Sequence, residues 1–192
     1  MFKRVDANID LPSVESEISA YWDKINAFET SVENRKNDKT FRFYDGPPFP
    51  TGSPHYGNLL AGVIKDIVPR YWTMRGYYVE RRFGWDVHGL PIEMEVQKKL
   101  NLEDPQQIDE YGIDKFNEAC RSQVQTNTEN WEKITRKIGR WVDFENDYKT
   151  MDIEFMESVW WVFKELWSKD LIYQDYKVLP YSWAASTPLS NF

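Results

Sequence analysis

The chain has 192 residues, a formal net charge of −7 and a hydrophobic content of 41%. This length is sufficient for one buried core, and nine Trp, eleven Tyr and eleven Phe supply large apolar surfaces for it. The acidic charge argues against a main nucleic-acid-binding surface, which needs clustered Lys and Arg, and the single Cys120 excludes an internal disulfide and a Cys-pair zinc knuckle.

Nothing in the sequence predicts a membrane or export location. The chain lacks an apolar run of the length that a membrane span requires, and Met1 to Arg4 is followed by Asp6 and Asp10 instead of a signal-peptide core. A single cysteine is also typical of a reducing compartment. We therefore expect a cytoplasmic protein that does not enter a membrane.

The first predicted element is an amphipathic helix that starts near Asp10 or Ser13, with Pro12 suited to its first turn. Its apolar positions recur at helical spacing and are Val14, Ile18, Tyr21, Trp22 and Ile25. We expect this stripe to pack on the domain that follows. The segment 1–40 is therefore predicted to be an N-terminal helical extension.

A strand, a helix and a second strand are predicted next. Phe41 to Tyr44 is a short aromatic strand, and Tyr77 to Phe83 alternates in the manner of a second one. Between them, residues 58–75 form a helix that Gly76 ends, with apolar positions at Leu59, Leu60, Val63, Ile64, Ile67, Val68 and Tyr71. This βαβ unit has the length for parallel pairing with a right-handed crossover, so we expect an α/β protein with the first half of a Rossmann-like fold over 41–100.

The remainder of the chain is predicted to be mostly helical. A helix begins at Pro91 with a stripe of Ile92, Val96 and Leu100, and longer helices run from about Asp114 to Trp141 and from Met151 to Ser168. The last of these is expected to turn Val159, Trp160, Phe163 and Trp167 inward. Trp141, Trp160 and Trp161 are interpreted as core residues, and the charges from Lys133 to Arg140 as a solvated helix face. We assign 101–170 to a helical segment and 171–192 to a hairpin at the base of an insertion, with Tyr173 to Tyr181 as the hairpin sequence.

The most informative stretch, Pro47 to Asn58, reads P-P-F-P-T-G-S-P-H-Y-G-N. Its Gly and Pro residues end the strand, which places His55, Gly57 and Asn58 at a helix N-terminus. Unpaired backbone amides and the positive end of the helix dipole favour phosphate there. The imidazole and the carboxamide add hydrogen-bond donors one turn apart, and Gly57 lets a nucleoside approach the backbone. The sequence therefore predicts a nucleotide site, although a His at a helix start is otherwise most often a cap.

The motifs resemble those of a known family. His55-Tyr56-Gly57-Asn58 is similar to the H-I-G-H signature of class I aminoacyl-tRNA synthetases. The preceding Gly46-Pro47-Pro48 and the downstream G-W-D-x-H-G-L-P over 84–91 fit the isoleucyl pattern better than the valyl or leucyl ones. Residues 54–56 at the signature and residues 187–192 resemble the sequences of the eukaryotic-type branch, which some bacteria also carry.

This resemblance implies activation of isoleucine by ATP to isoleucyl-adenylate, followed by transfer to tRNA(Ile). His55 and Asn58 would stabilise charge on the phosphates as catalytic groups, and Gly57 would complete the ATP site. Asp86, which follows a strand end and could be only a turn residue, would hold the α-amino group of isoleucine. Mg²⁺ would accompany ATP as substrate, without a metal site in the protein itself.

Other residues of these motifs carry weaker expectations. Gly46 and Pro47 would form a wall of the amino-acid pocket, in addition to ending the strand. Asp45, Trp85 and His88 are weaker candidates for site residues, although Asp45 and His88 could serve only to support the loop.

Two departures from the family pattern affect these expectations. Asn58 stands where the signature has its second histidine, so a neutral amide replaces a group that can become cationic. The second signature, K-M-S-K-S, is absent, and we therefore expect an N-terminal portion of the catalytic domain that alone is inactive and contacts tRNA little. Two other functions remain open: a non-catalytic synthetase-like binding module, and a nucleotidylyltransferase, which shares the H-x-G-H turn but lacks the G-W-D loop.

Overall fold

A computed structural model describes residues 8–184 and 186–189, and all statements below refer to these residues. The helices are α1 (Leu11–Lys24), α2 (Ala27–Glu33), α3 (Tyr56–Met74), α4 (Leu90–Leu100), α5 (Pro105–Tyr111), α6 (Ile113–Lys137) and α7 (Ile153–Ser168). The strands are β1 (Arg82–Trp85), β2 (Asp143–Lys149), β3 (Tyr181–Ser182) and β4 (Thr187–Pro188). The chain divides into two compact units, 1–152 and 153–192, and each is described by itself.

The core of the first unit lies between the parallel pair β1–β2 and helices α4 and α6. Aromatic rings dominate it, because Phe83, Trp85 and Phe144 stack with centroid separations of 4.4 to 6.4 Å. Its buried members are Phe83, Trp85, Val87, Ile92, Val124, Trp131, Val142 and Phe144. The stripe predicted for α4 is confirmed at Ile92 and Val96, which are buried, and the chain has the mixed α/β character that the sequence indicates.

The predicted strand at Phe41 to Tyr44 is wrong. Only an isolated parallel bridge joins Thr40 to Tyr78, with the Phe41 N–H donating to the Tyr78 carbonyl at 2.9 Å. Beyond this bridge the second predicted strand, Tyr77 to Phe83, pairs with a segment later in the chain: the Arg81 carbonyl accepts from the Asp143 N–H at 2.8 Å. That partner, β2, was missed by the sequence analysis.

The inward and outward alternation of the second predicted strand is present, although the ladder itself covers only β1. Val79, Arg81, Phe83 and Trp85 are all buried at intervals of two, while Glu80 and Arg82 are exposed. An arginine therefore occupies one of the inward positions.

The helices agree with the sequence better than the strands do. Helix α3 starts within two residues of the predicted position, and Gly76 follows its end with φ +87°. Helix α6 ends at Lys137 instead of Trp141, because Gly139 adopts φ +75° and the chain then extends into β2. The short helices α2 and α5 were not predicted. In α1, Trp22 packs edge-on against Trp141, but Val14, Ile18, Tyr21 and Ile25 remain exposed.

The second unit differs from expectation in both of its elements. The inward stripe predicted for α7 is wrong: Val159, Trp160, Phe163 and Trp167 are 45 to 69% exposed, since the described residues of this unit contain no second helix that packs on it. Trp161 is likewise exposed rather than core. The antiparallel pair is β3–β4, displaced from the predicted Tyr173 to Tyr181, because the turn forms around Ser186 with φ +50°.

Candidate functional site

His55 and Asn58 cap the start of α3 reciprocally. The imidazole Nδ1 of His55 accepts from the N–H groups of Gly57 (3.1 Å) and Asn58 (3.4 Å). In return, Oδ1 of Asn58 accepts from the His55 N–H at 3.1 Å. This is a capping box, and it satisfies amides that a helix start otherwise leaves unpaired. Capping and ligand binding are thus not exclusive readings of His55, because only one nitrogen of the ring is used.

The capping box fixes which groups face outward. A neutral imidazole that accepts at Nδ1 carries its hydrogen on Nε2, so Nε2–H is the remaining donor of His55. Similarly, an Asn58 side chain that accepts at Oδ1 keeps its NH₂ group for another partner. Among the described residues neither donor has an acceptor. Two neutral hydrogen-bond donors thus stand one helical turn apart.

Gly57 leaves room for the close approach of the imidazole. A Cβ at this position would lie 3.0 Å from Cε1 and 3.1 Å from Nδ1 of His55. Such a contact is tight, and the ring would have to shift by a few tenths of an ångström. The glycine therefore favours the observed position of the imidazole in the cap.

Asp45 forms a buried ion-pair centre under the Gly46–Pro48 loop. Its side chain has no exposed surface, and its two oxygens lie 2.8 Å from Lys65 Nζ and 3.1 Å from Arg140 Nη2. Lys65 Nζ also donates to the Gly46 carbonyl at 2.6 Å. Asp45 therefore ties the loop to α3 and to the segment after α6. Arg140, predicted on a solvated face, is instead buried because it pairs with this carboxylate.

The Gly46–Pro48 loop and the G-W-D loop are joined through backbone contacts. The Asp86 N–H donates to the Pro48 carbonyl at 3.0 Å. Tyr148, on β2, donates its hydroxyl to the Asp45 carbonyl at 3.0 Å. The structure thus holds Asp86 against Pro48, which lies 38 positions earlier in the sequence.

Asp86 is half-buried, and its carboxylate has no hydrogen-bond or ion-pair partner in the part of the chain that the structure describes. An unpaired carboxylate in such a position is able to accept a cationic group. Pro47 is also half-buried.

Trp85 and His88 differ from the other candidates. Trp85 is 1% exposed, and its Nε1–H donates to Asp147 at 2.7 Å, so its indole belongs to the core. His88 is exposed. Neither side chain is brought to the α3 cap by any described contact.

A cavity of about 230 Å³ lies beside the capped end of α3. Its walls include Gly46, Pro48, Pro54, Asn58, Leu59 and Lys65. Gly46 and Asn58 thus share one cavity, whereas Pro47 and Asp86 do not line it. Asp86 and Asn58 therefore do not share this cavity.

Sequence reasoning missed Tyr148. A Cβ on Gly84, its register partner across the β1–β2 pair, would overlap the Tyr148 ring. Burial raises the pKa of the Tyr148 hydroxyl, and the negative charges of Asp45 and Asp86 raise it further, against the opposing effect of Arg82. Gly84, the glycine of G-W-D, was the sequence feature that could have indicated a bulky side chain opposite it on the neighbouring strand.

The comparisons with known proteins identify the family. The model of the family "tRNA synthetases class I (I, L, M and V)" matches residues 17–192. The chain belongs to the class I tRNA synthetases. The fold agrees, since LeuRS of Agrobacterium radiobacter K84, solved as a ternary complex with tRNA and LeuAMS, superimposes with a TM-score of 0.67 at 20% identity over 96% of the chain and 21% of its own length.

Isoleucine–tRNA ligases are among the similar sequences. The cytoplasmic enzyme of Arabidopsis thaliana is 55% identical over 94% of the chain, that of Anaplasma marginale 54% over 100%, and that of Mycobacterium tuberculosis 55% over 95%. The chain spans only 15–18% of the length of these relatives. One plant and two bacterial enzymes match this synthetase chain about equally, so the branch stays a prediction.

The described residues contain neither a membrane-spanning helix nor a cluster of metal-binding side chains. No helix is long and apolar enough to cross a membrane. No group of three or more His, Cys, Asp or Glu side chains is arranged to hold a metal ion.

Proposed function

We propose that the chain forms the part of an isoleucyl-tRNA synthetase that receives ATP and isoleucine for formation of isoleucyl-adenylate. The observation that carries this proposal is the capping box of α3, which leaves His55 Nε2–H and the Asn58 amide as outward donors, with Asn58 in the wall of a cavity that Gly46 and Pro48 also line. Class I membership supports ATP as the nucleotide, and 54–55% identity to isoleucine–tRNA ligases supports isoleucine as the amino acid.

In this proposal the carboxylate oxygen of isoleucine attacks the α-phosphorus of ATP. The bond between the α-phosphorus and the oxygen that bridges to the β-phosphate breaks, and pyrophosphate leaves. The protein contributes position and charge stabilisation instead of covalent chemistry. His55 and Asn58 donate to phosphate oxygens as negative charge shifts among them. Because both side chains are held by the cap before ATP arrives, little ordering is needed at the moment of reaction.

The amino acid is placed on the other side of the Gly46–Pro48 loop. The unpaired carboxylate of Asp86 accepts the α-ammonium group, and Pro47 offers a rigid apolar surface to the side chain. Since the Asp86 N–H is bonded to the Pro48 carbonyl, one loop sets the distance between the ammonium and the phosphate donors. Asp45, whose side chain is fully buried, holds that loop in place through its ion pairs with Lys65 and Arg140.

Mg²⁺ accompanies ATP as substrate in this proposal, and tRNA(Ile) is contacted mainly by regions other than these 192 residues. The cytoplasm is the proposed location. Its reducing environment suits the free, half-buried Cys120. Burial and the charge of Glu93 raise the pKa of this thiol, which favours its unreactive protonated form.

The test is ATP–pyrophosphate exchange by a full-length synthetase that carries these 192 residues. Exchange should depend on isoleucine and be weaker with valine, since one methylene in an apolar pocket is worth only about 1–3 kcal/mol. Exchange that responds to leucine, or that needs no amino acid, would contradict the proposal.

A further inference from the structure

The turn that leads into the α3 cap, residues 50–54, is tied to the rest of the protein by one helix. Pro50 is buried, and Gly52 adopts φ +59°, a left-handed conformation that glycine reaches without strain. In the part of the chain that the structure describes, the hydrogen bonds that reach this turn from another element are donated by α6. The proposed function assigns no role to these contacts.

Trp131 makes the shorter of the two contacts. Its indole Nε1–H donates to the Gly52 carbonyl at 2.8 Å, whereas the side-chain amide of the neighbouring Asn130 donates to Ser53 Oγ at 3.4 Å. Gly52 lies three residues before His55. A side chain 79 positions later than Gly52 therefore holds the backbone immediately ahead of the cap.

The core fixes the position of this donor. Trp131 is 4% exposed, and its ring packs edge-on against Trp85 with a centroid separation of 6.4 Å. A buried indole N–H needs an acceptor, because leaving it unpaired is costly. The acceptor is the carbonyl of Gly52, in a stretch whose residues 51–53 are exposed. The packing of the core thus determines where an exposed turn lies.

The same indole also reaches the other part of the candidate site. Trp85, its partner in the core, directly precedes Asp86. In addition, Trp131 lines the cavity beside the α3 cap together with Pro54 and Asn58. One side chain on α6 therefore contacts both segments to which the proposed function assigns ligand-binding groups.

We propose that Trp131 is a positioning residue for adenylate formation, which holds the turn so that His55 presents Nε2–H to the phosphates. This inference rests on the proposed function and adds to it a residue that lies outside both motifs. The indole acts through the Gly52 carbonyl and the backbone of residues 53–55. Because stabilisation of a transition state depends on donors that are already in place, a looser turn lowers the rate constant more than it lowers affinity.

The experiment is single-turnover formation of isoleucyl-adenylate in a full-length synthetase that carries these residues. Trp131→Phe keeps an aromatic ring in the core but removes the N–H. Its rate constant should fall about tenfold or more with little change in isoleucine affinity, as for other displacements of a catalytic group. Phe116→Leu is the matched control: it truncates another buried ring of α6, away from the turn, and should keep the wild-type rate.

A double-mutant cycle with His55→Asn separates positioning from a general loss of stability. If Trp131 acts through His55, adding Trp131→Phe to His55→Asn should change the rate by less than about twofold, because the donor that it positions is already absent. A core defect would instead lower the rate by the same factor in both backgrounds.

Amide hydrogen exchange of residues 51–58 provides a readout that does not depend on activity. Exchange there should be faster in Trp131→Phe than in wild type, and unchanged in Phe116→Leu. Gly52→Ala is the second variant in case Trp131→Phe does not fold. Its Cβ would meet no atom within 4 Å, so it strains only the left-handed backbone of an exposed residue and should lower the rate and raise exchange in the same way.

The outcomes distinguish this inference from the proposed function. A wild-type rate in Trp131→Phe and Gly52→Ala, while His55→Asn is slow, would overturn the inference and leave the proposed function intact. A wild-type rate in His55→Asn would contradict the proposed function itself. Equal rate losses in the two backgrounds of the cycle, or unchanged exchange at residues 51–58, would make Trp131 a core residue only.

Discussion

Nδ1 of His55 accepts from the N–H of Asn58 while Oδ1 of Asn58 accepts from the N–H of His55, so each residue caps the other. The same two side chains begin and end the His55–Asn58 segment that resembles the first signature of the class I family. The helix cap therefore determines the tautomer of the imidazole and the orientation of the amide. Stability and ligand contact at this position can be separated, because they use different atoms.

Substitutions of the cap should show this separation in thermal unfolding. His55→Ala removes the acceptor for two amides and should lower the free energy of unfolding by about 0.5–2 kcal/mol. His55→Asn should cost much less, because Asn is itself a favourable N-cap residue. If both variants unfold at the wild-type temperature, His55 does not cap α3 in solution.

Asp86 should behave as a binding residue without a structural function. Asp86→Ala should weaken isoleucine binding by about 2–5 kcal/mol, because a buried ammonium group would lose its partner. ATP affinity and melting temperature should hardly change. Asp147→Asn is the contrasting control, since Asp147 accepts from the Trp85 indole and pairs with Lys149. Calorimetry that finds unchanged isoleucine binding and a lower melting temperature for Asp86→Ala would make Asp86 structural.

Asp45, in contrast to Asp86, should contribute mainly to the stability of the fold. Asp45→Ala leaves Arg140, with a side chain 5% exposed, and Lys65 without their carboxylate, so we expect a loss of about 3–5 kcal/mol in urea unfolding. Glu132→Gln breaks an ion pair with Arg136 whose members are 57% and 37% exposed, and should cost less than about 1 kcal/mol. Equal losses in the two variants would mean that the Asp45 pair is not buried in solution.

Tyr148 should give the chain an alkaline sensitivity. Its pKa is raised above the ordinary 10.0, so the folded state holds the phenolic proton more tightly than the unfolded state does. That contribution is complete below pH 10 and is lost as pH rises through the folded-state pKa. Tyr148→Phe should therefore lose about 0.5–1.5 kcal/mol near neutral pH, from the bond to Asp45, and show a flatter decline above pH 10.

The fully exposed Tyr176 provides the control for this titration. Tyr176→Phe should follow the wild-type stability curve at every pH. A Tyr148→Phe curve parallel to that of wild type above pH 10 would exclude Tyr148 as the source of the decline.

Local sequence patterns identified the parts of the site that depend on neighbours in the chain. The Gly/Pro turn, His55 and the apolar period of α3 sufficed to place a helix start there. Asp45 pairs with Arg140 across 95 positions and its carbonyl bonds Tyr148 across 103, and no local pattern encodes such contacts. The prediction that the apolar stripe of α7 is buried failed for a related reason. A helical period reveals an apolar stripe, but not whether a second layer covers it.

The central claim is that the outward donors of the α3 cap act on the phosphates of ATP. Single-turnover formation of isoleucyl-adenylate, in a full-length synthetase that carries these residues, measures this most directly when wild type is compared with His55→Asn. The variant keeps the cap, but its side chain is shorter and its amide does not reach the position of Nε2–H, so we expect the rate constant to fall about 10²–10³-fold with little change in isoleucine affinity, as for the loss of other transition-state donors. A wild-type rate in His55→Asn, or an effect confined to the KM for isoleucine, would contradict the account.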